Sequence, residues 1–223
     1  MESRPELLHP WQGEPIDYRC VAIRFSREPG PADYGIVLPD RIARAAPRRR
    51  AEWLAGRCCA SEALRLLTGQ GTCPGMAPDR SPVWPEGTLG SISHSGDVAV
   101  AIAAHTGSCL GIGIDIERIM DGQAASEIAP EALTPWECRH LANDPFSITL
   151  AFSAKESLFK ALHPLLRRPM SFRASELIAW DGRGTARLHL VEQLSPEFLA
   201  GREIEARFAR LGDLLLTRVL VPA

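Results

Sequence analysis

At 223 residues the chain suffices for one large domain or two small ones with a substantial core, and 25 basic against 27 acidic residues leave a formal net charge of −2. That balance provides no global field for nucleic acid or an anionic membrane surface, so any anion site must be local. Met1 to Gly13 carries Pro, Glu and His where a signal peptide needs an apolar core, no apolar run approaches the ~20 residues of a membrane helix, and the six cysteines form neither a CxxC pair nor a zinc spacing; a cytoplasmic protein with reduced thiols is expected.

Residues 1–47 are proline-rich, with a strand candidate at Cys20 to Phe25 and a loop through Pro29 to Pro39. Pro47 opens a helix whose body, Arg48 to Leu67, is rich in Ala, Leu and Arg and is closed by Gly69 and Gly71. Residues 72–90 read as a Gly/Pro loop, after which Gly90-Ser91-Ile92-Ser93-His94-Ser95 leads into an apolar strand, Val98 to Ala104. A second strand spans 110–116. From Ala124 to Leu150 two helical pieces are broken by Pro130, Pro135 and Pro145; a helix over 150–163 and strands at 186–191 and 214–221 complete the chain. The order helix, strand, strand, helices, strands is that of an α+β fold, not a regular βαβ chain.

Two segments carry chemistry. In Gly111-Ile112-Gly113-Ile114-Asp115-Ile116-Glu117 the alternation reads as a strand that buries its isoleucines on one face. Asp115 and Glu117 then share the other face, where Gly111 and Gly113 leave room for a ligand to approach the backbone. In Phe152-Ser153-Ala154-Lys155-Glu156-Ser157-Leu158-Phe159-Lys160, Glu156 and Lys160 are helical neighbours four apart. Alone, that pair is an ordinary surface ion pair of roughly 0.3–0.5 kcal/mol. With Asp115 and Glu117 it makes an oxygen-only set suited to magnesium, which binds through a few carboxylates and substrate phosphates. Because Asp115 stands off the apolar face, its replacement by alanine is expected to remove metal-dependent turnover and spare the fold.

Upstream, Arg49, Trp53 and Arg57 recur at four-residue steps, so two guanidinium groups reach one side of the helix and can grip a phosphate. Ser93 and His94, at a loop-to-strand junction, offer a hydroxyl and an imidazole to a phosphate oxygen. A Ser-His-Asp hydrolase is poorly served: Ser95 beside His94 has no nucleophile-elbow pattern, and adjacent residues on a strand point to opposite faces.

The Gly-Ile-Gly-Ile-Asp-Ile-Glu segment, followed about forty residues on by Phe-Ser-Ala-Lys-Glu-Ser-Leu-Phe-Lys, resembles the two-part signature of the 4′-phosphopantetheinyl transferases. Gly56-Arg57, Val83-Trp84-Pro85 with Gly87, and Gly90 to Ser95 are similar to the Sfp-type branch and, within it, the enterobactin synthetase component D-like group; the matched blocks run from about residue 49 to 162. The resemblance implies a monomer of two similar α/β halves in a pseudo-twofold arrangement, residues 1–109 and 110–223, with coenzyme A and magnesium in the cleft between them. It implies transfer of the phosphopantetheine arm of coenzyme A to a serine of an acyl or peptidyl carrier protein, with release of adenosine 3′,5′-bisphosphate, in siderophore, nonribosomal peptide or polyketide synthesis. It assigns magnesium to Asp115, Glu117 and Glu156, and charge neutralisation to Lys160. Coenzyme A contacts fall to Arg49, Arg57, Arg80, Ser93, His94 and Lys155, with Glu156 as general base and Glu117 as the alternative. A magnesium-dependent phosphoester hydrolase and a non-catalytic coenzyme A-binding, carrier-docking protein are the competing functions; the intact acid and lysine set argues against the second.

Overall fold

The computed structural model describes residues 4–11, 17–26, 35–141 and 144–223, so part of the expected Pro29–Pro39 loop lies outside the described residues. The fold is α+β, and the chain divides into two compact units, Met1–Cys109 with Ala223 and Leu110–Pro222. Among the described residues no helix is long and apolar enough to cross a membrane.

In the first unit the strands are β1 (Glu6–Leu8), β2 (Tyr18–Arg24), β3 (Gly75–Met76), β4 (Pro82–Val83), β5 (Thr88–Ser95) and β6 (Val98–His105). The helices are α1 (Asp40–Ala43) and α2 (Pro47–Thr68). An antiparallel sheet in the order β1-β2-β6-β5 carries α2 on one face, and β3 pairs with β4. Pro47 at the first turn and Gly69, left-handed at φ 81°, bound α2 as the sequence predicts. Ala51, Ala55, Cys59 and Ala63 pack on Val21, Ile23, Ala99, Ala101 and Ala103, small side chains that let helix and sheet approach closely. A Cβ on Gly56 would sit 2.7 Å from Ile92, so glycine sets that spacing. One expectation is corrected. Gly90 to Ser95 is no lead-in loop but most of β5, which forms a hairpin with β6 through Gly96 at φ 64°.

The second unit has strands β7 (Gly111–Arg118), β8 (Ser175–Trp180), β9 (Thr185–Leu190), β10 (Glu203–Leu211) and β11 (Leu214–Val221), and helices α3 (Gly122–Ala132), α4 (Pro135–His140) and α5 (Pro145–Leu166). Its antiparallel sheet runs β7-β11-β10-β9-β8, with α5 packed on β7 and β11. Leu150, Ala154, Leu158 and Leu162 of α5 meet Leu177, Leu188, Leu215 and Val219 in the core. Pro135 and Pro145 start helices; each fills a first-turn position, behind a Thr134/Glu137 capping box and an Asp144 cap respectively, and α3 continues through Pro130.

Gly111 and Gly113 also differ from expectation. A Cβ on Gly113 would lie 1.9 Å from Ser157 O, and one on Gly111 2.2 Å from Ala161 O. The face they strip is filled by α5 and leaves no ligand channel. The glycines bring the β7 acids against that helix.

Candidate active site

In the first unit α2 presents Arg49, Trp53 and Arg57 one turn apart to a cavity of about 270 Å³, lined also by Arg41, Glu52, Arg80 and His94. The Arg57 guanidinium lies 5.2 Å from the Trp53 ring centroid, and its Nη2 donates to Gly75 O at 3.0 Å. Arg57 is 5% exposed, yet its Nε has no hydrogen-bond partner among the described residues. A buried donor of that kind is available to a water or a ligand in the cavity. Arg49 Nη1 stands 3.0 Å from His94 Nε2. Glu52 accepts from Arg48 Nε at 2.9 Å and lies 3.6 Å from Arg49. Burial pushes the Glu52 carboxyl up, but the bond from Arg48 and the neighbouring His94, Arg48 and Arg49 charges hold it below its ordinary value. Arg80 sits at φ 74° in a turn where Asp79 accepts from the Ser81 amide, an uncommon backbone for a non-glycine residue and a common mark of functional loops.

Period two along β5 separates the Ser-His pair. Ile92 and His94 line the cavity, while Ser93, 7% exposed, stands on the opposite face and is not among the lining residues. Arg41 and Glu52 are cavity residues that the sequence reading missed. The i,i+4 and i,i+3 spacing of Glu52 from Arg48 and Arg49 was the available signal for the glutamate.

In the second unit β7 and α5 bring Asp115, Glu156 and Lys160 together. Asp115 is 2% exposed; its Oδ1 receives Lys160 Nζ at 2.6 Å and its Oδ2 receives Ser153 Oγ at 2.8 Å. Lys160 also donates to Ile114 O at 3.2 Å. Burial pushes the Glu156 carboxyl above its ordinary value; Lys160 opposes the shift and the negative charge of Asp115 adds to it. Two carboxylates near enough to repel, with a cation drawn onto one of them, are a donor set that fits a hard divalent ion. Among the described residues no three His, Cys, Asp or Glu side chains converge on an ion by themselves, so the set fits magnesium only in its open mode, completed by water and phosphate oxygens. Glu117 is half-buried two residues along β7, opposite Leu215.

Lys155 does not join this group. Its side chain is fully buried, with Nζ 2.5 Å from Glu137 Oε2 and 2.8 Å from Ala132 O. Glu137 also accepts from the amides of Thr134 and Leu177, both at 2.8 Å. The expected coenzyme A contact from Lys155 gives way to a structural one. Helical geometry turns it about 100° from Glu156, and Glu137 provides the counter-charge that a buried ammonium needs.

Residues 38–104 match the model of the 4′-phosphopantetheinyl transferase N-terminal domain, and residues 111–209 that of the 4′-phosphopantetheinyl transferase superfamily. Enterobactin synthase component D of Salmonella typhimurium is 39% identical over 187 residues, covering 81% of this chain and 75% of the relative. The chain belongs to the 4′-phosphopantetheinyl transferase superfamily. This transferase is also 39% identical over 145 residues to enterobactin synthase component D of Escherichia coli K12, covering 63% of this chain and 67% of that one. It is 32% identical over 194 residues to 4′-phosphopantetheinyl transferase Svp of Streptomyces mobaraensis, covering 82% and 76%. The chain is accordingly an enzyme, and the two clusters just described, one in each matched region, are the places to seek its chemistry.

Proposed function

We propose that this transferase moves the 4′-phosphopantetheine arm of coenzyme A onto a serine of an acyl or peptidyl carrier protein, in siderophore or other nonribosomal peptide or polyketide synthesis. The observation that carries the assignment is the Asp115–Lys160–Glu156 cluster, built by the two segments of the family signature. The names of the relatives, enterobactin synthase component D above all, support the pathway. We take the enzyme to act as a cytoplasmic monomer of two halves. Six free thiols accord with a reducing compartment.

Arg49, Arg57, Arg80 and His94 grip the phosphates and base of the nucleotide; the unpartnered Nε of buried Arg57 supports this role. Ser93 can assist from β5 only through its backbone, since its side chain stands on the opposite face. Asp115, Glu117 and Glu156 would hold magnesium, which would supply positive charge to the pyrophosphate. Lys160 supplies positive charge where the leaving bisphosphate develops negative charge. Glu156, whose carboxylate burial makes more basic, takes the proton of the carrier serine through an oxygen not given to the metal, with Glu117 the alternative.

Intact-mass measurement of an apo carrier protein incubated with enzyme, coenzyme A and magnesium tests the assignment. One added phosphopantetheine per carrier is expected, with none for Lys160→Met. An unmodified carrier across a panel of peptidyl and acyl carriers would remove it.

A further inference from the structure

Between α5 and β11 lies a buried chain of three hydroxyls, two from the second signature segment and one, Thr217, from outside both. Ser153, Ser157 and Thr217 are each 0% exposed. Thr217 lies on β11 directly opposite Asp115 on β7 and beyond residue 209, where the superfamily match ends. Its Oγ1 is 2.8 Å from Ser153 Oγ, 2.8 Å from Ser157 Oγ and 2.9 Å from Ser153 O. Ser153 Oγ in turn is 2.8 Å from Asp115 Oδ2.

Counting protons gives the chain a direction. A carboxylate oxygen only accepts, so the single hydroxyl proton of Ser153 goes to Asp115. The single proton of Thr217 is shared between Ser153 O and Ser153 Oγ, and that of Ser157 between Thr217 O, 3.0 Å away, and Thr217 Oγ1. Ser153 thus donates to the carboxylate while Thr217 holds Ser153 by both of its oxygens. A helical serine has a competing partner in the carbonyl four residues back. With Thr217 donating to its oxygen, the Ser153 proton stays on Asp115.

We propose that Thr217 is a positioning residue for the transfer reaction. Through Ser153 it fixes Oδ2 of Asp115, so that Oδ1, the oxygen now facing Lys160, would be the one left for the metal. The inference rests on the assignment of Asp115 as a magnesium ligand.

Thr217→Val keeps the shape and removes the hydroxyl. The Ser157 proton can then go to Thr217 O, 3.0 Å away, and that of Ser153 still has Asp115, so no buried donor is orphaned and the variant is expected to fold. Binding of Mn²⁺, followed by the electron paramagnetic resonance of the free ion, is expected to weaken at least tenfold. The magnesium concentration for half-maximal turnover should rise by a similar factor with KM for the carrier within twofold, and Thr217→Ser should restore both to within threefold of wild type. If Thr217→Val does not fold, Ser153→Ala cuts the same chain one link nearer the carboxylate and is expected to weaken Mn²⁺ equally. Wild-type Mn²⁺ affinity in whichever of these variants folds, with or without a lowered Tm, overturns the positioning role. Asp115→Asn separates the two assignments: if it weakens Mn²⁺ and Thr217→Val does not, Thr217 alone loses its role, whereas unchanged binding in Asp115→Asn sinks the ligand assignment and the inference with it.

Discussion

Lys160 Nζ lies 2.6 Å from Asp115 Oδ1, joining the seventh strand to the fifth helix at the point where both family segments meet. The aspartate is nearly inaccessible and the lysine is 23% exposed at its side chain, so the pair has one dry partner and one wet one. A lysine so placed can swing toward a phosphate without leaving the aspartate wholly unpaired, because Ser153 still donates to the other oxygen.

Asp115→Ala removes the acceptor for both Ser153 and Lys160. Stability should fall by about 1–3 kcal/mol, the cost of buried donors left unsatisfied, and turnover by roughly 10²–10³-fold. This differs from the sequence expectation of a spared fold, because the acid stands in a buried network. Urea unfolding beside intact-mass turnover checks both numbers.

Lys155→Met should cost about 3–5 kcal/mol, since it strips the cation from a pair whose side chains are both 0% exposed. Its KM for coenzyme A should stay within about twofold of wild type, to the extent that folded protein is recovered at lower temperature. A large rise in KM with unchanged unfolding would instead make Lys155 a substrate contact.

Gly113→Ala places a methyl group 1.9 Å from Ser157 O, which forces α5 away from β7 and separates Lys160 from Asp115. The expected loss is about 3 kcal/mol, the upper end of the usual cost of overpacking a core. Gly182→Ala, with nothing within 4 Å of the added carbon, is the control and should unfold like wild type.

Glu52 gives the first unit a pH dependence. Its folded value lies below the ordinary one despite burial, because Arg48 bonds it and positive groups surround it. Its contribution to stability is therefore complete above the ordinary glutamate value, about 4.3, and is lost as pH falls through the lower folded value. Glu52→Gln should lower Tm at pH 7 and narrow the Tm difference between pH 7 and pH 3. An identical acid-side fall in both proteins would show that another group controls it.

Local signals made parts of the fold legible. Pro47 and Gly69 marked the ends of α2 because a first-turn proline and a left-handed glycine act within the helix itself. The alternation in Gly111 to Glu117 marked β7, and the apolar run at 214–221 marked β11, since neither signal needs knowledge of a partner. β8 and β10 were missed: Glu203-Ile204-Glu205-Ala206-Arg207 alternates, but with charge on one face and small or partly buried residues on the other. Pro145 looked like a break and is a start, because only the Asp144 cap on Ser147 tells the two apart.

The sequence by itself determined the family signature from two segments and the α+β class from the order of elements, and spacing within one element singled out the acids and lysine of the second unit and the two arginines of α2. Pairing between elements was beyond it. Which carboxylate oxygen meets Lys160, that Lys155 turns to Glu137 and away from Glu156, that Ser93 and His94 part company, and that Thr217 stands opposite Asp115 depend on strand register and on how closely a helix approaches a sheet. Those are set by side chains distant along the chain meeting in a packed interior, and only the tertiary structure decides them.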